Sequence, residues 1–173
     1  MLLNATILVS TVLVMEAVAW AIHKYVMHGP GWGWHRSHHV EHDEVLEKND
    51  LYAVIFAGLA LLLIVFSPGR GPLYWVGVGM TVYGFLYFVV HDGLVHQRWP
   101  FRYVPRNGYL KRLVQAHRLH HAVGTKEGTV SFGFLWAPKP EVLKAELQRR
   151  GNAGARQPGD PREAPLDNEG SRA

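Results

Sequence analysis

Ten of the eleven histidines fall into four clusters that repeat one two-part pattern. His23-x4-His28 is followed by His35-x2-His38-His39, and His91-x4-His96 is followed by His117-x2-His120-His121. A lone histidine beside an apolar segment is usually a hydrogen-bonded structural residue. A doubled pattern that consumes nearly the whole histidine complement points instead to metal binding. At about 100° per residue, positions i, i+3 and i+4 share a helix face, so each triplet is expected to converge as one metal-binding face. The members of each x4 pair diverge by about 140° on a regular helix. Two readings follow: each member serves a different metal, or the helix ends between them, with Gly29-Pro30 and Gly93 as candidate breakers. Ten imidazoles exceed what one tetrahedral or octahedral ion can use, so the count favours two metals with some nitrogens left in supporting positions. Spacing alone does not choose among iron, zinc and copper.

Other residues are read against that pattern. Asp92, next to His91, could orient a ligand ring, bind metal directly, or cap a helix end. His42 stands outside the clusters among Glu41, Asp43 and Glu44 and is expected at the surface or in a supporting position. Glu16 lies within an apolar run, where an ionisable group is costly; an interhelical hydrogen bond is the favoured role over catalysis. The chain has no cysteine, which excludes disulfides, thiolate metal sites and cysteine-held iron–sulfur clusters. Gly77-x-Gly79 lacks the rest of a dinucleotide fingerprint and reads as a place where helices pack closely. There is no P-loop and no nucleophile–base arrangement.

The elements that must position the histidines are apolar. Met1 to about Ile22 is long enough to cross a ~30 Å hydrocarbon core, and it lacks the basic n-region of a cleaved signal, so it is expected to be retained. Leu51 to Phe66 is a second, shorter run, and Pro72 to Val90 a third, joined by the turn-forming Ser67-Pro-Gly-Arg-Gly-Pro72. If all three cross, Arg70 is the only one of the 18 Lys and Arg on its side. The positive-inside rule then puts the other side, with every histidine, in the cytoplasm. Trp20, Tyr25, Tyr74, Trp75 and Tyr87 fall near span ends, where aromatic rings anchor or simply pack. Gly128 to Trp136 is apolar but too short to cross, and is left as either an interfacial segment or half of a fourth span. Lys139 to Arg150 is expected to be an amphipathic helix near the membrane surface. Residues 1–150 are thus expected to form the membrane domain and 151–173 a disordered tail. The expected fold is all-α: an integral-membrane bundle of three or four transmembrane helices with a cytoplasmic-side, histidine-ligated di-metal site. The formal charge of +4 suits anionic lipid, and the apolar blocks argue against nucleic acid.

The four-cluster order, together with His23-Lys-Tyr-Val-Met-His-Gly29, Gly31-Trp-Gly-Trp-His-Arg-Ser-His-His39 and Glu47-Lys-Asn-Asp-Leu-Tyr52, resembles the bacterial β-carotene hydroxylases of the fatty-acid hydroxylase superfamily. The resemblance covers about Ile22 to Tyr52 and Val90 to Trp136. It implies a non-haem di-iron monooxygenase that takes O2 and hydroxylates β-ionone rings at carbon 3, converting β-carotene through β-cryptoxanthin to zeaxanthin. Carried over position by position, the implied ligands are His23, His28, His35, His38, His39, His91, His96, His117, His120 and His121. Hydroxylating an unactivated C–H bond needs a redox-active metal, which zinc is not. A carotenoid arrives from the bilayer, so the site must open toward lipid. Electrons must come from a separate donor, a ferredoxin or similar protein, since no flavin, nicotinamide or iron–sulfur motif is present. Competing readings are a sterol or fatty-acyl hydroxylase or desaturase with the same clusters, and a histidine-rich membrane metal-binding or transport protein. A transporter would carry ionisable ligands at mid-bilayer, and a haem carrier would need only two axial histidines.

Overall fold

The computed structural model describes residues 1–40, 46–100 and 103–151. His42 with its acidic neighbours, and the tail beyond Gly151, lie outside the described residues. Among the described residues there are six α-helices: α1 Leu2–Ile22, α2 Trp32–His39, α3 Asp50–Val65, α4 Pro72–Tyr87, α5 Gly108–His121 and α6 Pro140–Arg149. The described residues contain no strand.

Local chemistry starts each helix. Asp50 opens α3 with a carboxylate at its positive end, and that carboxylate also accepts the Glu47 N–H at 3.0 Å. Pro72 and Pro140 sit in the first turns of α4 and α6, where proline loses no helical hydrogen bond. The reversal before α4 turns on Gly69 at φ 62°, a left-handed conformation that suits glycine.

The helix α4 packs against both α1 and α3. A Cβ at Gly77 would lie 2.8 Å from the Ala60 carbonyl oxygen of α3, and one at Gly79 would lie 2.7 Å from Thr11 Cβ of α1. The two glycines therefore let α4 approach both neighbours, the close packing expected from the sequence. Met15, Ala60, Met80 and Tyr83 form the core of this layer. Outside it, Val9, Leu13, Val54, Leu61, Leu62 and Phe85 are exposed.

Two helical stretches, Leu2–Met27 and Pro72–Val95, are long and apolar enough to cross a membrane; Asp50–Val65 is apolar but shorter. Only 6 % of the most apolar window of Leu2–Met27 is buried, the opposite of a core helix in a water-soluble domain. Both long stretches run past the end of regular α-helix into π-helical turns, His23–Met27 and Phe88–Val95.

The apolar run Gly128 to Trp136, expected as an interfacial segment or half of a fourth span, is not helical and so does not form half a span. Residues 128–137 form irregular chain tied to the interior of the helix layer by Glu16. One oxygen of Glu16 accepts the backbone N–H groups of Phe134, Leu135 and Trp136, each at 3.0 Å, and the other accepts the Tyr83 hydroxyl at 2.8 Å. The costly carboxylate in α1 thus supplies partners for backbone donors that no helix satisfies. Leu143 of α6 is buried with Leu113 and Ala116 of α5, and Leu147 packs against the same cluster, so the apolar face of α6 meets α5.

Candidate metal centre

The C-terminal ends of α1 and α4 and the N-terminal end of α3 share one end of the layer, and α2 and α5 close over it. All ten clustered histidines meet there. Eight are buried, with His23 and His120 fully so, while His96 and His121 are half-buried.

Their Nε2 atoms gather in two groups. In the first, His23 and His35 lie 3.0 Å apart, His28 is 3.2 Å from both His35 and His120, and His39 is 3.2 Å from His35. In the second, His38 and His91 are 3.1 Å apart, and His117 lies 2.9 Å from His96 and 2.8 Å from His121. His38 belongs with this second set, since its ligand atom clusters with those of His96, His117 and His121. The ligand atoms of His39, His120 and His121 also cluster, which joins the two groups.

This division differs from the expected one. Neither triplet converges as a unit: His35 and His39 enter the first group while His38 enters the second, and His117 and His121 enter the second while His120 enters the first. The i and i+4 rings point together, and the i+3 ring, rotated by about 60° from the first in the opposite sense, reaches the neighbouring group. The x4 pairs do not divide between the groups, as the first reading had it, while the helix does end between the members, as the second had it, at Met27 and at Val95. Each pair stays together because the helix widens before it ends, with His28 and His96 at the caps. The His28 N–H donates to the His23 carbonyl at 3.0 Å, and the His96 N–H to the His91 carbonyl at 2.9 Å. These are i to i+5 bonds, which bring residues five apart onto one face. Gly93 breaks nothing; it makes room for the Trp99 indole, which lies 2.6 Å from where a Cβ would stand.

The far sides of the rings are held by two kinds of acceptor. In the first group, Nδ1 of His23, His28 and His120 lies 2.9, 2.8 and 3.0 Å from the carbonyl oxygens of Phe132, Lys126 and Val130, and His35 Nδ1 lies 2.7 Å from Asn49 Oδ1. His39 Nδ1 is directed toward the Val123 backbone but makes no well-formed hydrogen bond. In the second group the acceptors are charged: His38 Nδ1 is 3.2 Å from both oxygens of Glu47, and His91 Nδ1 is 2.7 Å from Asp92 Oδ1. With Nδ1 donating outward, every such ring presents a bare Nε2 lone pair to its group.

The fatty acid hydroxylase family profile matches residues 8–138. The chain is 60 % identical over 147 residues to a β-carotene hydroxylase of Paracoccus sp. (strain PC1), covering 84 % of this chain and 91 % of that one. It is 62 % identical over 153 residues to the β-carotene hydroxylase of Pantoea ananas, covering 88 % and 87 % of the two chains.

The chain belongs to the fatty acid hydroxylase family.

A more distant relative is a chloroplastic β-carotene 3-hydroxylase of Arabidopsis thaliana, 36 % identical over 143 residues, which cover 76 % of this chain and 45 % of the plant protein. No solved structure matches the chain.

In this member of the fatty acid hydroxylase family, burial keeps the imidazoles in the form that binds metal. Loss of hydration lowers His35 and His96 to about 4, His39 to about 3 and His121 to about 2, and it lowers His28, His38, His117 and His120 as well. Neighbouring histidines push most of them further the same way. All eight are neutral at pH 7, which is the ligating form.

Sequence reasoning missed the supports. Glu47 and Asn49 stand in the Glu47-to-Tyr52 motif without an assigned role there, and their nearness to a histidine triplet was the available signal. Arg98 was not singled out. Its guanidinium meets both Asp50 oxygens at 3.0 and 2.9 Å, with Glu47 at 3.5 Å and Asp92 at 3.8 Å, so it braces both carboxylates behind the second group. The carbonyls of Lys126, Val130 and Phe132 come from irregular backbone and carry no side-chain signature.

Proposed function

We infer that this protein is a carotenoid 3-hydroxylase whose ten clustered histidines hold two irons, and that it converts β-carotene through β-cryptoxanthin to zeaxanthin. The observation that carries this reading is the pairing of two five-imidazole groups at the end of an apolar helix layer. A metal–nitrogen bond of about 2.1 Å places two ligands at right angles about 3.0 Å apart, whereas tetrahedral ligands stand about 3.4 Å apart. Neighbouring Nε2 atoms 2.8–3.2 Å apart fit right angles, and the ligand atoms of each four-histidine set all lie within 4.8 Å of one another. Each set of four has a fifth imidazole beside it, His39 next to His35 and His91 next to His38, one donor more than a structural zinc site uses. A redox-active ion with higher coordination fits this donor set, and iron is the one the family's chemistry calls for.

In this arrangement His23, His28, His35, His39 and His120 would hold one iron, and His38, His91, His96, His117 and His121 the other. When bound, the irons supply the activation of O2 for a reaction that joins one oxygen atom to carbon and reduces the other to water with two electrons and two protons. The protein's own residues do the rest. Phe132 and Phe134 pack on His23 with ring centroids 5.5 and 5.0 Å away, and Trp32 lies 5.1 Å from His28, walling the first group from water. The backbone carbonyls, Asn49, Glu47 and Asp92 fix the ring orientations. The exposed apolar faces of α1, α3 and α4 suit lipid, so the substrate would reach the site from within the bilayer.

The two electrons would come from a separate donor protein such as a ferredoxin. The histidine end would face the cytoplasm, because Lys24, Arg36, Arg98, Lys111 and Arg112 lie toward it while Arg70 lies at the opposite turn. Expression of the full chain in bacteria that accumulate β-carotene, followed by pigment analysis, tests the reading. Zeaxanthin with some β-cryptoxanthin is expected. Unchanged β-carotene in cells whose membranes contain the iron-loaded protein would contradict it.

A further inference from the structure

An elongated cavity of about 500 Å³ runs along the helix layer, floored by α4 and flanked by α1 and α3. That volume lies in the range of small-molecule sites. Its lining is apolar along most of its length, with Asn49, Asp50 and Asp92 gathered at the histidine end. Ala53 and Ala57 on α3, and Thr81 and Gly84 on α4, line it and are exposed, so the cavity opens sideways along the apolar surface.

Its inner end is closed by two aromatic rings, one for each histidine group. Tyr87 stacks on His91 at 4.5 Å and 20°, Phe134 stacks on His23 at 5.0 Å and 14°, and the two rings touch edge to face at 4.8 Å. The inner end of the cavity thus borders both groups, through Tyr87 and Phe134 and through Asn49 and Asp92 beside them.

Gly84 is the informative residue. Gly77 and Gly79 on the same helix are small because neighbouring helices crowd them, but a Cβ at Gly84 would meet nothing within 4 Å. Glycine is a poor helix former, and helix packing does not account for it here. What its missing side chain leaves is open space on the cavity floor, about one turn from Tyr87.

We propose that this cleft seats the ring end of the carotenoid, which enters sideways from the lipid over Gly84 and comes to rest against Tyr87 and Phe134. The inference rests on the carotenoid hydroxylase reading above. A bulky cyclohexenyl ring on a long rigid chain needs a lateral opening and an apolar channel that ends beside the metal groups, and the cleft provides both. The chain would trail between α1 and α3 toward the far side of the membrane.

The test compares wild type, Gly84→Phe, Ala57→Phe and Gly58→Phe as full-length, iron-loaded proteins purified in detergent from β-carotene-accumulating cells. Gly58 is also open to space within 4 Å and lies on α3 outside the cavity lining, so it serves as the control. The measurements are iron content, melting temperature, β-carotene retained per chain, and hydroxylation rate. Gly84→Phe is expected to keep wild-type iron and melting temperature while retained pigment and rate fall about ten-fold or more, with Gly58→Phe unchanged. Ala57→Phe fills the same space from the opposite wall and gives the same result should the Gly84 variant fail to fold. Wild-type pigment retention and rate in either well-folded cleft variant would overturn the proposal while leaving the hydroxylase reading intact. A wild-type protein inert toward β-carotene would overturn both.

Discussion

The rings of the two histidine groups are backed differently, and this distinguishes one group from the other. Neutral oxygens stand behind the first group and the Glu47 and Asp92 carboxylates behind the second. A carboxylate behind an imidazole makes it a stronger donor. Asp92→Asn keeps an oxygen in place but removes the charge, and should weaken metal binding about 10- to 100-fold. Chelator competition against the purified protein measures this, and an unchanged affinity would leave Asp92 as a mere helix-end residue. Burial sets the pH response. His35 and His96 titrate near 4 in the folded chain, against about 6.5 when unfolded. Above 6.5 both states are neutral at these positions. Below it the unfolded chain takes up protons that the folded chain refuses, so stability falls as pH drops from 6.5 toward 4, by about 1.4 kcal/mol per pH unit for each such group. The melting temperature of metal-free protein should be level from pH 7 upward and fall below 6.5; a level curve down to pH 4 would mean that the rings are not held neutral. At this scale the sequence was informative about which residues gather, since the doubled cluster pattern names all ten. It could not tell which ring joins which group, because that depends on a rotation between i+3 and i+4 that only the packing of α2 against α5 resolves.

The π-helical turns and the irregular segment after α5 do the positioning at the level of elements. An i+5 pair reads as divergent on an α-helix, so the spacing of His23 and His28 hid its own meaning until the wider turn supplied the register. Residues 128–137 were equally illegible. Their apolar composition suggested membrane contact, yet they serve as a carbonyl rail for His120 and His23, fixed by a glutamate more than one hundred residues away in sequence. Glu16→Ala should therefore destabilise the protein by at least about 2 kcal/mol, since it orphans several donors at once, and should lower activity by releasing Phe132 and Phe134 from His23. Glu16→Gln, which can still accept, should lose less. Thermal melts in detergent together with turnover would check both, and an Ala variant as stable as wild type would show that the segment is held by other contacts.

Across the whole molecule, three apolar helices run in alternating directions, two of them lead into the histidine pairs at one end, and the two triplets come from the short helices α2 and α5, so the chain's ten donors converge although they span nearly one hundred positions. The apolar runs and the Pro-Gly reversal made the helix layer legible in the sequence, because hydrophobic blocks and breakers are local signals. How α2 and α5 fold over the layer's end was not, because it depends on contacts between distant segments such as His35 with Asn49 and Arg98 with Asp50. The central claim is that the two interleaved groups each hold one iron. Elemental analysis of the full chain, purified in detergent from iron-replete cells and normalised to protein by amino-acid analysis, tests it most directly: two irons per chain are expected, and one iron per chain, or zinc in place of iron, would contradict the account.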